Sequence, residues 1–406
     1  MKPRVAMIAY ACDPEGGGEH WLGWGWAEVA ARDCEVHLIT TPKSRAAIER
    51  HAARAGLHAH FVELPAWRRR LSERLGGTGS WLRKIWWQRQ AARCAAQLHA
   101  QAPFALVHQT TFHTFRVPFD AATTLGIPAV WGPIAGGEHT PPGFDSFLGE
   151  ARGAERWRKI ANRLWLALPS VQRSLRAASA LFVSNRTTLD FLPEFCRAKA
   201  TLVPPNALRD DVTLPAQSGS AAAPGRLSIL YVGNCVPTRC IPLVLHALAE
   251  LNDPRIGFTV VGDGPARAAW EQQAQALGVA SNFAGQVGRA QLADFYAAAD
   301  ALVFPALRDA GGSALLEAMS LGLPVVCLDW GGPAEMVDAE SGIKIPVTDP
   351  ATTVRALAAA LVRLRDEPEF RRALGAHAAV KARAQFTWEA KRELLKATYE
   401  RLLAAP

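Results

Sequence analysis

Residues 308–326 read RDAGGSALLEAMSLGLPVV. Asp309 precedes Glu317, with Gly311, Gly312, Ser313 and Ala314 between them, and an apolar helix pattern, Gly322 and a short β-branched run follow. This order predicts loop, helix N-terminus, helix, turn and strand, one repeat of a parallel α/β sheet. Loop glycines let backbone N–H groups approach an anion, and the helix dipole favours negative charge there. Glu317, one turn into the helix, is placed to reach a group attached to bound phosphates. A nucleoside diphosphate fits, with its ribose at Glu317 and its far end at Asp309. The spacing alone fits equally well a buried βαβ unit with a solvated Asp and a capping Glu.

Outward from this stretch, strand and helix patterns alternate. Strand-like runs are 5–10, 35–40, 60–64, 104–108, 128–132, 180–184 and 199–205, then 227–233, 257–264, 282–285, 301–306 and 324–330. Helix patterns include 21–32, 242–251, 266–277 and 386–403. Between the two series lies DDVTLPAQSGSAAAPGR (210–226), polar and rich in small residues, as a linker is. Repeated alternation on both sides of a linker predicts two doubly wound parallel sheets. Ligands of such sheets bind beyond the carboxyl ends of the strands, here in a cleft between domains.

Composition agrees with two domains. A chain of 406 residues is long for one core, and two domains of about 200 are expected. With 49% hydrophobic and 20% charged residues it reads as globular, and no apolar run reaches the length of a spanning helix. The N-terminus lacks a signal-peptide layout, so a cytoplasmic location is expected. Seven scattered cysteines read as reduced thiols. Cys235 and Cys240 alone suggest a metal, but no second pair completes a site, so no metal is expected.

The net charge of +8 is concentrated in WRRRLSERLGGTGSWLRKIWWQRQAAR (67–93) and RGAERWRKIANRLWLALPSVQRSLR (152–176). Basic helices with Trp and Leu on one face suit an anionic membrane surface. They also suit ordinary arginines over half-buried tryptophans. No nucleic-acid motif accompanies the charge, so no nucleic-acid partner is expected. GDG at 262–264 lacks the full dinucleotide spacing, which argues against NAD.

Taken together, YVGNCVPTRC (231–240), VVGDGP (260–265), NFAGQVGRAQLADFYAAAD (282–300) and the 309–326 segment resemble the family 4, group 1 glycosyltransferases, retaining enzymes of the GT-B fold. YACDPEGGGEHWLGWGW (10–26), VHQTTFHTFRVP (107–118) and LGIPAVWGPIAGGEHTPP (125–142) extend the resemblance through the N-terminal half. It implies an α/β chain of two Rossmann-like domains facing across a cleft. Residues 1–209 would form an acceptor-side domain, 227–388 the nucleotide-sugar domain, and 389–406 a helix crossing back to the first.

The resemblance further implies transfer of a sugar from a nucleotide-diphospho-sugar to an acceptor hydroxyl, with no metal or other cofactor. Asp309 and Arg239 would be catalytic. Arg239, Asn234, Gln286, Val287, Gly311, Gly312, Ser313, Ala314 and Glu317 would bind the donor, joined by Gly16, Gly17 and Gly18. His113, Glu138 and His139 would lie on the acceptor side, near a glycan or glycolipid at the inner face of the plasma membrane. Three positions depart from the family pattern. Asn234 replaces an Arg, Asp309 is one methylene shorter than the usual Glu, and Arg239-Cys240 stands for Lys-Gly. These departures keep two alternatives open: a non-catalytic nucleotide-sugar-binding subunit, or an epimerase or phosphorylase of the same fold.

Overall fold

The computed structural model describes residues 2–208 and 225–404, so most of the expected linker at 210–226 lies outside the described residues. The chain forms two compact units. The first comprises residues 1–137, 160–205 and 388–406, and the second residues 138–159 and 206–387.

The first unit is built on seven parallel strands in the order β3-β2-β1-β4-β5-β6-β7. They are β1 (Arg4–Ala9), β2 (Glu35–Thr40), β3 (Leu57–Phe61), β4 (Leu106–Thr111), β5 (Ala129–Ile134), β6 (Ala180–Val183) and β7 (Ala200–Leu202). Central strands such as VAMIA are buried on both faces, which is why they read as continuous apolar runs rather than alternating ones. Strand β3 begins earlier than the sequence suggests. Gly56, left-handed at φ 72°, ends the helix Arg45–Ala55 and turns the chain directly into Leu57.

The second unit has six parallel strands in the order β10-β9-β8-β11-β12-β13. These are β8 (Leu227–Val232), β9 (Ile256–Val261), β10 (Ser281–Gly285), β11 (Ala301–Phe304), β12 (Val325–Leu328) and β13 (Gly342–Ile345). The last, GIKI, gives only a weak strand signal in the sequence, being four residues long and interrupted by Lys344. Residues 138–159 were expected with the first domain but pack in the second unit. Phe144 and Leu148 are buried in its core with Leu230, Val244 and Leu245.

The basic-aromatic stretches are helical. Residues 67–93 lie in the helices Ala66–Arg74 and Gly76–Gln101, and 152–176 in Arg152–Ala167 and Pro169–Ala177. Part of the aromatic content is core. Trp87 is buried and donates from Nε1 to the Val62 carbonyl at 2.9 Å, and the Trp81 and Trp165 rings pack 5.5 Å apart. Other apolar groups face out. Trp67, Leu71 and Leu75 repeat at helical spacing and are 60%, 40% and 45% exposed; Ile160, Leu164 and Leu168 are likewise exposed. Among the described residues no helix is long and apolar enough to cross a membrane.

The C-terminal helix Trp388–Ala404 packs in the first unit against the helix Glu19–Asp33, where a Cβ on Gly25 would enter the Trp388 indole. It carries a buried lysine, Lys391, whose Nζ donates to the Pro204 carbonyl at 2.5 Å and lies 5.3 Å from the Trp26 ring centre. Burial lowers its pKa to about 7. An unfolded lysine keeps its proton to about pH 10.4. Between these values the unfolded chain binds more protons, so the cost of burying this amine falls as pH rises. Denaturation at intervals from pH 7 to 10 is expected to show stability rising more steeply in the native chain than in Lys391→Met. Parallel slopes would contradict the buried neutral amine.

Candidate functional site

In the second unit the strand order reverses between β8 and β11, so loops leaving these two strands diverge and leave a crevice at their carboxyl ends. The loop after β8 is tied to the loop after β9. Gly233 donates to the Val261 carbonyl at 3.0 Å and Cys235 to the Asp263 carbonyl at 2.9 Å. A Cβ on Gly264 would meet the Cys235 carbonyl oxygen at 2.6 Å, so GDG at 262–264 serves this close backbone packing. The chain then makes a 3-10 turn, Pro237–Arg239, and Cys240 takes the left-handed conformation at φ 48° before the helix Ile241–Leu251. That turn delivers Arg239 to the crevice.

Arg239 ion-pairs with Asp309, which arrives from the loop after β11. The side chains are 23% and 7% exposed, and the guanidinium carbon lies 5.2 Å from the Phe304 ring centre. Burial makes the Arg239 charge costlier, and neighbouring Arg308 adds to that cost. The guanidinium stays charged, and the Asp309 carboxylate compensates it. Arg308 is held by Glu155, with 3.2 Å from its Nε to the carboxylate; Arg158 binds the same Glu155 oxygen at 2.5 Å.

The Asp309 loop is fixed by its backbone. Asp309 Oδ1 accepts from Gly311 N–H at 2.7 Å, and its carbonyl accepts from Gly332 N–H at 2.9 Å. Asn206 Nδ2 donates to the Gly311 carbonyl. A Cβ on Gly312 would meet Phe304 Cζ at 2.9 Å. The helix Ser313–Ser320 starts here with Gly312 as its N-cap and no capping side chain. Its first N–H groups are therefore available for an anion next to Arg239.

One turn on, Tyr296 donates its hydroxyl to Glu317 Oε2 at 2.9 Å. Tyr296 is buried, and that burial, reinforced by the Glu317 charge, raises its pKa and keeps it a donor. The second Glu317 oxygen makes no hydrogen bond among the described residues, which leaves it for a ligand hydroxyl. Sequence reasoning passed over Tyr296 and Glu155. The signal for Tyr296 lay within FYAAAD; none marked Glu155.

Thus Arg239, Asp309, Gly311, Gly312, Ser313, Ala314 and Glu317 come together. Asn234 is at the end of β8, its carbonyl accepting from Tyr231 at 3.1 Å and its side chain exposed. Gln286 is exposed just after β10, and Val287 packs half-buried on the core. Glu138 and His139, expected on the N-terminal side, belong to the second unit. Glu138 is buried, its carbonyl bound by Arg158, and the His139 carbonyl accepts from Trp330 Nε1 at 2.8 Å.

Gly16, Gly17, Gly18 and His113 lie in the first unit. Gly18, at φ 57°, starts the helix Glu19–Asp33 without a side-chain cap, after the central strand β1. His113 N–H donates to Glu19 at 2.9 Å; burial lowers the imidazole pKa, and its Nε2 has no partner among the described residues.

Residues 217–381 match the family of glycosyl transferases group 1. A D-inositol 3-phosphate glycosyltransferase of Streptomyces bingchenggensis is 33% identical over 192 residues, which is 42% of this chain and 41% of that protein. The chain spans about half the length of the curated relatives it matches. In fold it resembles a sucrose-phosphate synthase from Thermosynechococcus elongatus, with a TM-score of 0.66 and 21% identity over the full length of both chains. It also resembles HepE from Anabaena, solved in complex with UDP, with a TM-score of 0.62 and 15% identity over 99% of this chain and 100% of that one. The chain has the two parallel-sheet α/β domains of the GT-B fold, and its residues 217–381 are a domain of the group 1 glycosyl transferase family.

Proposed function

We propose that the chain is a retaining glycosyltransferase that moves a sugar from a nucleoside-diphospho-sugar to an acceptor hydroxyl. The observation that carries this reading is the meeting of Arg239, Asp309 and an uncapped helix start at the β8–β11 reversal, with Glu317 held by Tyr296 one turn away. The UDP in the Anabaena structure supports a nucleotide-linked donor, and the name of the Streptomyces relative supports glycosyl transfer. Retention rests on the resemblance of the motifs.

When the anomeric carbon–oxygen bond breaks, negative charge grows on the departing diphosphate. Arg239 and the amides of Ser313 and Ala314 would neutralise it from fixed positions, which costs no reorganisation during the step. Donor phosphates would compete with Asp309 for Arg239. Asp309, released from that pair, would face the hydroxyls of the transferred sugar. Glu317 would take the ribose hydroxyls through its open oxygen. No metal is needed to balance the diphosphate in this scheme.

The acceptor is proposed to be lipid-linked or a polysaccharide precursor, reached at the inner face of the plasma membrane. The support is chemical: Trp67 and Leu71 are exposed on a helix that also carries Arg68, Arg69, Arg70 and Arg74, and Leu75 is exposed at its end. Apolar anchors interleaved with arginines suit an anionic lipid surface.

Three outcomes follow for the donor site. Calorimetry with UDP, GDP, ADP and dTDP should find one nucleotide that binds, weakened about 10- to 100-fold in Arg239→Ala, as expected for a lost charge-assisted contact. Glu317→Ala should also weaken it, whereas Asp309→Ala should leave binding equal or tighter while transfer drops about 100-fold. Equal losses of affinity in Asp309→Ala and Glu317→Ala would contradict the assigned roles. Binding without turnover on any glycolipid acceptor would instead favour a nucleotide-sugar-binding subunit.

For the membrane surface, flotation with phosphatidylglycerol vesicles at low salt should recover the native chain but much less of a Trp67→Ser, Leu71→Ser variant. Failure of the native chain to float removes this part of the proposal.

A further inference from the structure

The strands β2 and β3, at one edge of the first unit's sheet, place three imidazoles and a carboxylate on one face. The register pairs His37 with His58 and Ile39 with His60, and Glu35 lies two residues before His37 on the same face. His37 is buried, His60 half-buried and His58 exposed. Glu35, His37 and His58 each offer one ligand atom, and these atoms lie within 4.8 Å of one another. The His37 and His58 rings are stacked with centres 4.9 Å apart.

One placement of the His37 ring proton satisfies the Arg4 contact. Arg4 Nη2 lies 3.0 Å from His37 Nε2, and a guanidinium only donates, so Nε2 carries a lone pair. The ring proton then sits on Nδ1, which donates to His60 Nε2 at 3.0 Å. In this state Glu35 Oε1 and His37 Nε2 are two acceptors facing each other at 3.1 Å. The Arg4 guanidinium holds them together, donating from Nε to Glu35 Oε1 at 2.9 Å and from Nη2 to His37 Nε2, so the two atoms already gather a cation. Two ligands of a tetrahedral ion, each about 2.0–2.1 Å from the metal, stand about 3.3 Å apart.

We propose that Glu35, His37 and His58 form a binding site for a divalent transition-metal ion of the zinc or cobalt type. His60 orients His37 by accepting its Nδ1 proton, the usual arrangement behind a metal-bound imidazole. A nitrogen–oxygen ligand set of this kind selects zinc, cobalt or nickel over magnesium or calcium. Arg4, which also bonds Glu35 at 2.9 Å, supplies positive charge here and must yield part of this contact to the ion. The site uses none of the residues assigned to the donor, so it is independent of the proposed transfer reaction. Its effect is to clip the edge strand β3 to β2, adding to their backbone pairing and to the His37–His60 contact.

The test uses the whole chain, freed of metal and titrated with Co²⁺ alone at pH 7.5. Visible d–d absorption should saturate at one equivalent, without the thiolate charge-transfer band that a cysteine ligand gives. Zn²⁺ should displace the signal and raise the thermal midpoint. His58→Ala, at an exposed position, and Glu35→Gln should each weaken binding at least tenfold while their metal-free circular dichroism matches the native chain. His60→Ala should weaken it less. Absence of saturable absorption in the native chain overturns the proposal. So does binding of equal strength in His58→Ala and Glu35→Gln, since the ion then sits elsewhere.

Discussion

The ion pair between Arg239 and Asp309 is the contact on which the proposed donor site depends. It joins the two loops that leave β8 and β11, the neighbouring strands whose connections run in opposite directions. A half-buried guanidinium facing no carboxylate would be costly, so the pair fixes both loops before any ligand arrives. Everything else in the site is arranged around that charge. Phe304 supports the guanidinium, Gly312 clears the ring, and the Gly331–Gly332 turn seats the Asp309 carbonyl. An anion at the start of the helix Ser313–Ser320 meets a cation already neutralised, and must take it from Asp309. In the proposed reading such exchange would couple binding of the donor phosphates to release of the Asp309 carboxylate.

The sequence carried the alternation of strands and helices, because buried stretches of parallel strand such as VAMIA (5–9) and ILYV (229–232) are apolar throughout and helices between them are not. It carried less at the edges. GIKI is short and interrupted by Lys344, and β3 was placed late because Gly56 turns the chain into strand without a loop. Residues 138–159 follow a strand of the first unit in sequence, yet Phe144 and Leu148 bury themselves in the second. No periodicity encodes which of two cores a short apolar pair will join.

In the site, Asp309, the glycines and Glu317 were legible because their spacing in a loop-helix unit has a chemical meaning, and Arg239 only through the family resemblance of 231–240. Tyr296 was not, since it lies on a different helix and meets Glu317 only in three dimensions. Glu155 is hidden for the same reason, inside a stretch that reads as a basic surface. The histidines of β2 and β3 show the point most clearly. EVHLIT and LHAHF each look like ordinary strands, and only the pairing of the two sets His37 beside His58. GDG at 262–264 shows the converse, a motif that suggests a ligand while its third residue, Gly264, has a packing role that explains the glycine.

The most direct measurement is a backbone amide chemical-shift titration of deuterated protein with a nucleoside diphosphate. The account predicts saturable shifts that are largest at Gly311, Gly312, Ser313 and Ala314, with the Arg239 side-chain resonance moving at the same concentration. Shifts centred on other strands of the second unit, or none with any of the four nucleotides, would contradict a donor site built on the Arg239–Asp309 pair.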